Sequence, residues 1–242
     1  MTETMTSGPG ILAPNPNVMT RVLGVIFAPR ETFAAVVARP RSLGALAVAL
    51  MVIGIAQYAL LSTEVGQQLA LDQQVAALEA FGQTISDEAY ANMEQNVRER
   101  ARFISPIFTL ISVPLFIAIS SGILHVMFGL VGGGNGTFKQ VYAISAHATI
   151  ITGLQLVFTT VVTMAAGRPA GANLAVFVPM LEDTTFVYLF LSTIDLFYVW
   201  STFLTAIGLA VLYKRRTAPI AMVLFGIYLV IALIIAFARS GS

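Results

Sequence analysis

Few side chains in this sequence could do chemistry. The two histidines, His125 and His147, are the groups that could ligate a metal or titrate near neutrality. Asp195 is the one carboxylate set inside a long apolar stretch, where an ionisable group tends to face the interior of a bundle or an aqueous cavity. Around it, Tyr188, Ser192, Tyr198, Thr202 and Thr205 recur at steps of three and four residues, so they predict one polar stripe on a helix. Ser145, Thr149, Thr152, Thr159 and Thr163, broken by Leu156, form a second row. Two hydroxyl-rich rows predict facing helices, with two readings. Small polar side chains can hydrogen-bond between helices, or Ser192, Asp195, Tyr198, Thr202, Thr205, Thr149 and Thr152 can line a path for a solute or proton.

The remaining signals point away from catalysis. Cysteine is absent, which removes disulfides, thiolate nucleophiles and Cys-held metals. At the helical rise, His147 lies about 13 Å from the Phe138 end of its stretch and Asp195 about 28 Å from Lys214, so the two are far apart in depth. His147 also falls away from the hydroxyl row. His125 and His147 alone make a poor zinc site, so both are expected to be structural histidines. The Gly132 to Gly136 run lacks the Gly-Lys-Ser/Thr ending of a phosphate loop and reads as a tight turn. Asn135-Gly136-Thr137 fits the glycosylation triplet, but a short turn on the cytoplasmic side is out of that machinery's reach. No His-Glu-x-x-His, Gly-x-Ser-x-Gly or kinase signature occurs, so neither an enzyme nor a cofactor is expected.

The elements that must position these residues are membrane helices. Of 242 residues 57% are hydrophobic and 10% charged, and mean hydropathy is +0.84. A water-soluble domain carries about 25% charge. Net charge is +1, which gives no electrostatic footprint for nucleic acid. A crossing helix needs about 20 apolar residues, because lipid offers the backbone no partner. Stretches near 43–62, 104–131, 138–165, 185–213 and 218–238 qualify, which predicts an all-α polytopic bundle of five spans within 42–242. Pro114 is expected to kink the second span.

Lys and Arg placement sets the orientation. With the N-terminus inside, Arg21, Arg30, Arg39, Arg41, Lys139, Lys214, Arg215 and Arg216 are cytoplasmic. The far side then holds Arg98, Arg100, Arg102, Arg168 and Arg239 among most of the carboxylates, so N-in, C-out is the better assignment to a cell (inner) membrane. Residues 1–18 read as a flexible cytoplasmic tail without a cleavable leader. Residues 19–41 predict short amphipathic helices, lying on the leaflet or packed under the bundle. The segment 63–102 predicts an extracytoplasmic helical hairpin broken at Gly82 and the Thr84 to Asp87 capping signal. Its acidic face is either solvated or a partner-binding arm. Small residues at Ala45, Ala49, Ala118 and Gly122 would allow close packing within the chain, with a second copy or with other membrane proteins.

Three stretches resemble the Yip family, the Ypt/Rab-interacting-protein group, in its bacterial branch. They are Phe27 to Phe33, with Pro29 and Phe33 four apart, followed by Ala38-Arg39-Pro40; Gly133 to Gln140 leading to Tyr142; and Asp195 to Trp200 with Gly208. The resemblance covers about residues 20–238. It implies five spans with a cytoplasmic N-terminus and an exoplasmic C-terminus, and a non-enzymatic membrane-organising or protein-interaction role. Eukaryotic members are associated with Rab-type GTPases and vesicle trafficking, but this tail carries no recognisable GTPase-binding motif.

Overall fold

A computed structural model describes residues 17–80 and 82–240 of the chain. Among them the secondary structure is helical, with a single isolated antiparallel bridge and no strand. Two short helices lead in: α1 (Val18–Phe27), capped by the Asn17 side chain on the Thr20 amide, and α2 (Pro29–Ala38), opened by Pro29 at its first turn. The flexible tail expected over 1–18 falls almost entirely outside the described residues; Val18 is already helical.

The two lead-in helices differ in how they meet the bundle. α2 packs against the bundle, with Phe33 and Val36 fully buried. α1 buries Val22 and Val25 while Met19, Leu23 and Phe27 stay exposed. Its outward apolar face suits an interface.

Helix α3 (Leu43–Leu61) follows, then α4 (Glu64–Ala80) and α5 (Asp87–Asn96). α4 and α5 form the expected hairpin. Its cap is Ser86, which accepts the Ala89 amide, rather than Thr84, because the helix begins at Asp87 and the capping residue is the extended one directly before it. Leu71 is the most buried large side chain of α4.

A π turn, Val97–Ala101, joins α5 to α6 (Arg102–His125), and a second, Val126–Val131, extends α6. The hairpin therefore does not end at a loop: Asp87–Val131 is one helical run of 45 residues. It stays helical through Pro106 and Pro114. α7 (Phe138–Ala166) opens on a capping box in which Thr137 and Gln140 satisfy each other's backbone, and it ends at Gly167 in the left-handed region. α8 (Phe186–Thr193), α9 (Leu196–Leu212) and α10 (Thr217–Ser240) complete the chain.

Among the described residues four helical runs are long and apolar enough to cross a membrane: α3, Asp87–Val131, α7 and α10. The fourth expected span is not one helix. It divides into α8 and α9 at Ile194 and Asp195, both in extended conformation. The physical reason is a polar one, set out below.

The core forms where α7 packs on α3 and α9, with α2 closing one end. Gly208 allows this approach: a Cβ there would run into Ile144 of α7 and press on Phe33 of α2. Gln140 Nε2 donates to the Val37 carbonyl at 3.0 Å, which ties the start of α7 to the end of α2. α10 joins this core through Ile220, Ala221 and Leu224, whereas α6 flanks it and turns Phe108, Ile111 and Phe116 outward. Apolar side chains pointing out of a helical bundle in such numbers are the surface a bilayer covers.

Candidate functional site

The break in the fourth stretch is where the polar chemistry gathers. Asp195 is 7% exposed and serves as the N-cap of α9. Its Oδ1 accepts the Phe197 amide at 2.8 Å and the Tyr198 amide at 3.4 Å. An ionised or neutral carboxyl inside a bundle needs donors, and a continuous helix has none to spare, since its amides are committed to carbonyls four residues back. Opening the helix at Asp195 frees the first amides of α9 for the carboxylate.

The opening leaves other backbone groups that must be satisfied at this depth. Leu174 and Ala172, in the connection between α7 and α8, supply part of the answer: the Leu174 amide donates to the Ile194 carbonyl and the Leu196 amide to the Ala172 carbonyl, both at 3.0 Å. These two bonds are the isolated bridge between Asn173 and Asp195. Tyr228 of α10 supplies the rest. Its hydroxyl donates to the Thr193 carbonyl at 2.8 Å and accepts the Asp195 amide at 3.2 Å. The Ile194 amide returns to Leu191 at 3.2 Å. Each of these broken-helix groups thus has a partner within the protein.

The expected polar residues divide between two places. Ser192 lies on α8, beyond the break, where its hydroxyl donates to the Leu189 carbonyl at 2.7 Å. Asp195 lies at the break itself. Tyr198, Thr202 and Thr205 of α9 and Thr149 and Thr152 of α7 line one cavity of about 430 Å³, together with Ser145, Ser201, Ser120 and Tyr228. The hydroxyl rows of α7 and α9 face each other, but they bond mostly within their own helices. Thr149 donates to Ser145 and Thr205 to Ser201, each to a carbonyl four residues back. Ser201 alone crosses, donating to the Ala148 carbonyl of α7 at 3.4 Å. The other hydroxyls that bridge helices sit elsewhere: Thr160 of α7 donates to Ala56 of α3 at 3.3 Å, and Thr109 of α6 to the Gln57 side chain at 2.9 Å.

Sequence reasoning missed Tyr228 and Ser201. Tyr228 is a lone polar group in an apolar helix, without a neighbour at helical spacing to mark it. Ser201 stands one residue before Thr202, outside the predicted stripe, although it completes a Tyr198, Ser201, Thr205 face.

The histidines do not join this site. His147 is 1% exposed and its Nδ1–H donates to the Ala143 carbonyl at 2.7 Å, on the side of α7 away from the cavity. His125 lies beside Gly129 and Tyr213. Among the described residues no three His, Cys, Asp or Glu side chains come together as a metal-holding group. In the glycine-rich turn, Gly133 takes a positive φ of 68°, and Cβ atoms at Gly134 and Gly136 would collide with the Tyr213 ring. These glycines let the turn fold tightly onto the end of α9, and Arg215 closes it by donating to the Gly132 carbonyl.

No curated protein and no solved structure matches the chain. A family model, the Yip1 domain, matches residues 23–239, from the second half of α1 almost to the end of α10, so the chain is a multi-pass integral membrane protein belonging to the Yip1 domain family.

Proposed function

We propose that the chain is a non-enzymatic component that organises a membrane or holds protein partners within it. In this reading it crosses five times, with its N-terminus in the cytoplasm and its C-terminus outside, in the cytoplasmic (inner) membrane. The α8 and α9 pair makes the fourth crossing, since α9 alone covers about 26 Å and falls just short of the hydrocarbon thickness.

The observation that carries the reading is the use made of Asp195. Broken helices at membrane depth serve as binding sites in transporters when their half-helix ends point at a bound ion. Here the place an anion would take at the start of α9 is filled by the chain's own carboxylate. The one carboxylate that a proton or solute path would use is committed to architecture. Contact with other molecules then falls to the outward faces, of which α6 and the α4 and α5 hairpin are the least covered.

A transporter or channel is the second reading, favoured by the cavity between the hydroxyl rows. Single cysteines at Thr149, Thr152, Thr202 and Thr205 separate the two, because the chain has no other cysteine. The organising role predicts that a membrane-impermeant thiol reagent reaches none of them from either side. It also predicts a discrete crosslinked product of higher mass when photoreactive residues replace Phe108 or Ile111. Labelling of the four positions with no crosslink would replace the proposal by the transport reading.

A further inference from the structure

A second cavity lies at the other end of the molecule from Asp195, where α1, the start of α3 and the start of α7 meet. It measures about 540 Å³, and its charged lining is wholly basic: Arg21, Arg41 and Lys139, with His147 at its floor. Arg21 is 6% exposed, yet its guanidinium makes no hydrogen bond or ion pair among the described residues, and its Nε is sealed from solvent without a partner. Burial, then the charges of Arg41 and Arg39 nearby, pull the Arg21 guanidinium below its ordinary value. Arginine nevertheless stays charged in proteins, so a buried positive charge is left without a counter-charge among the described residues.

The same cavity receives the N-terminus of α3. Ser42 caps nothing with its side chain, and the amides of Leu43, Gly44 and Ala45 have no acceptor among the described residues. Free amides and the positive end of the helix dipole favour an anion there. Two independent features, a helix end and a sealed arginine, therefore face one space that holds no carboxylate among the described residues. The rim is apolar and open: Leu43 is 80% exposed and Val18 43%. Met19, Leu23 and Phe27 continue that apolar surface along α1. A ligand that is anionic at one end and hydrocarbon at the other fits this arrangement, as do basic pockets that hold lipid headgroups between membrane helices.

We propose that this cavity is a site for a phosphate group carried by an anionic phospholipid. Arg21 contacts the phosphate from the sealed side, the α3 amides receive it from the bundle side, and Arg41 and Lys139 close over it at the rim, with the acyl chains leaving past Leu43 and Val18. Such a lipid would pin α1 to α3 and α7. The site does not depend on the organising role proposed above, since its test reads lipid and not partners or cavity access.

The test is native mass spectrometry of the full chain released from nanodiscs of equal phosphatidylglycerol and phosphatidylcholine. Retained phosphatidylglycerol is expected to exceed retained phosphatidylcholine, and Lys139→Gln and Arg41→Gln are each expected to lower its retention about fivefold, the weight of one basic residue at a charged leaflet. Both side chains are exposed, so folding is not at stake; Arg21→Gln is included with thermal stability measured beside it. Equal retention of the two lipids, or retention untouched by the rim variants, would overturn the proposal. Inorganic phosphate that displaces the lipid and stabilises lipid-free micelles, with no preference between headgroups, would assign the site to free phosphate instead. Glu3 is the one carboxylate of residues 1–16, and Glu3→Gln is expected to leave retention unchanged. A rise in that variant would make Glu3 the resident anion and end the proposal.

Discussion

α7 and the α8 and α9 pair are near equals in sequence: each runs for close to thirty apolar residues and each carries a row of hydroxyls, yet one is unbroken and the other opens in the middle. The difference is a single carboxylate. A threonine can satisfy itself inside a helix by donating to the carbonyl four residues back, as Thr149 does. A carboxylate has no proton to give when ionised and must find donors, which the helix supplies only where it starts afresh. Hydroxyls are therefore tolerated in a membrane helix, whereas Asp195 restructures the helix around itself and recruits Tyr228 and the 172–174 segment to repair the result.

Replacement of Asp195 is the strongest way to break this comparison. Asp195→Ala removes the acceptor for two part-buried amides and is expected to lower stability by about 2 kcal/mol, the upper range for a lost cap. Asp195→Asn keeps an oxygen at the same place and is expected to cost well under half as much, because asparagine caps about as well as aspartate. Denaturation midpoints in mixed micelles check both. Equal losses for the two variants would mean the negative charge, not the cap, is what the break requires.

Tyr228→Phe comes next. It strands the Thr193 carbonyl and the Asp195 amide, for an expected loss of about 1.5 kcal/mol. Hydrogen exchange should rise at the Asp195 amide and not along α7; a rise in both helices would show that the break and α7 unfold as one unit.

The smaller changes sharpen the α7 side. Thr160→Val removes a bond to α3 and is expected to cost about 0.6 kcal/mol, the mean measured between membrane helices. Thr149→Val removes only a bond within its own helix and is expected to change stability by less than about 0.5 kcal/mol. A loss at Thr149 as large as that at Thr160, read from the same unfolding curves, would show that the cavity-facing row has partners beyond its own helix.

Periodicity and composition made the helices legible, because α3, α7 and α10 are long apolar runs bounded by charge, glycine or proline. The facing of the α7 and α9 rows was also readable, since a helical repeat fixes which side chains share a side. Two things were not. Hydropathy at Asp195 reads the same whether the backbone is helical or extended, so the break could not be seen; only its repair by residues distant in sequence, in the 172–174 segment and at Tyr228, makes it stable. Arg21 was read as one of several arginines that orient the chain. Its burial depends on how α1 folds back against α3 and α7, a non-local contact that no local spacing encodes.

The continuous run from Asp87 to Val131 has a mechanical meaning. At the helical rise its 45 residues reach about 68 Å, more than twice the thickness of the hydrocarbon, so one rod joins the hairpin on one side to the glycine-rich turn on the other. A force on α5 reaches that turn without crossing a loop that could absorb it. The compliant points are the two π turns at the ends of α6, where the hydrogen-bond ladder already has one residue of slack.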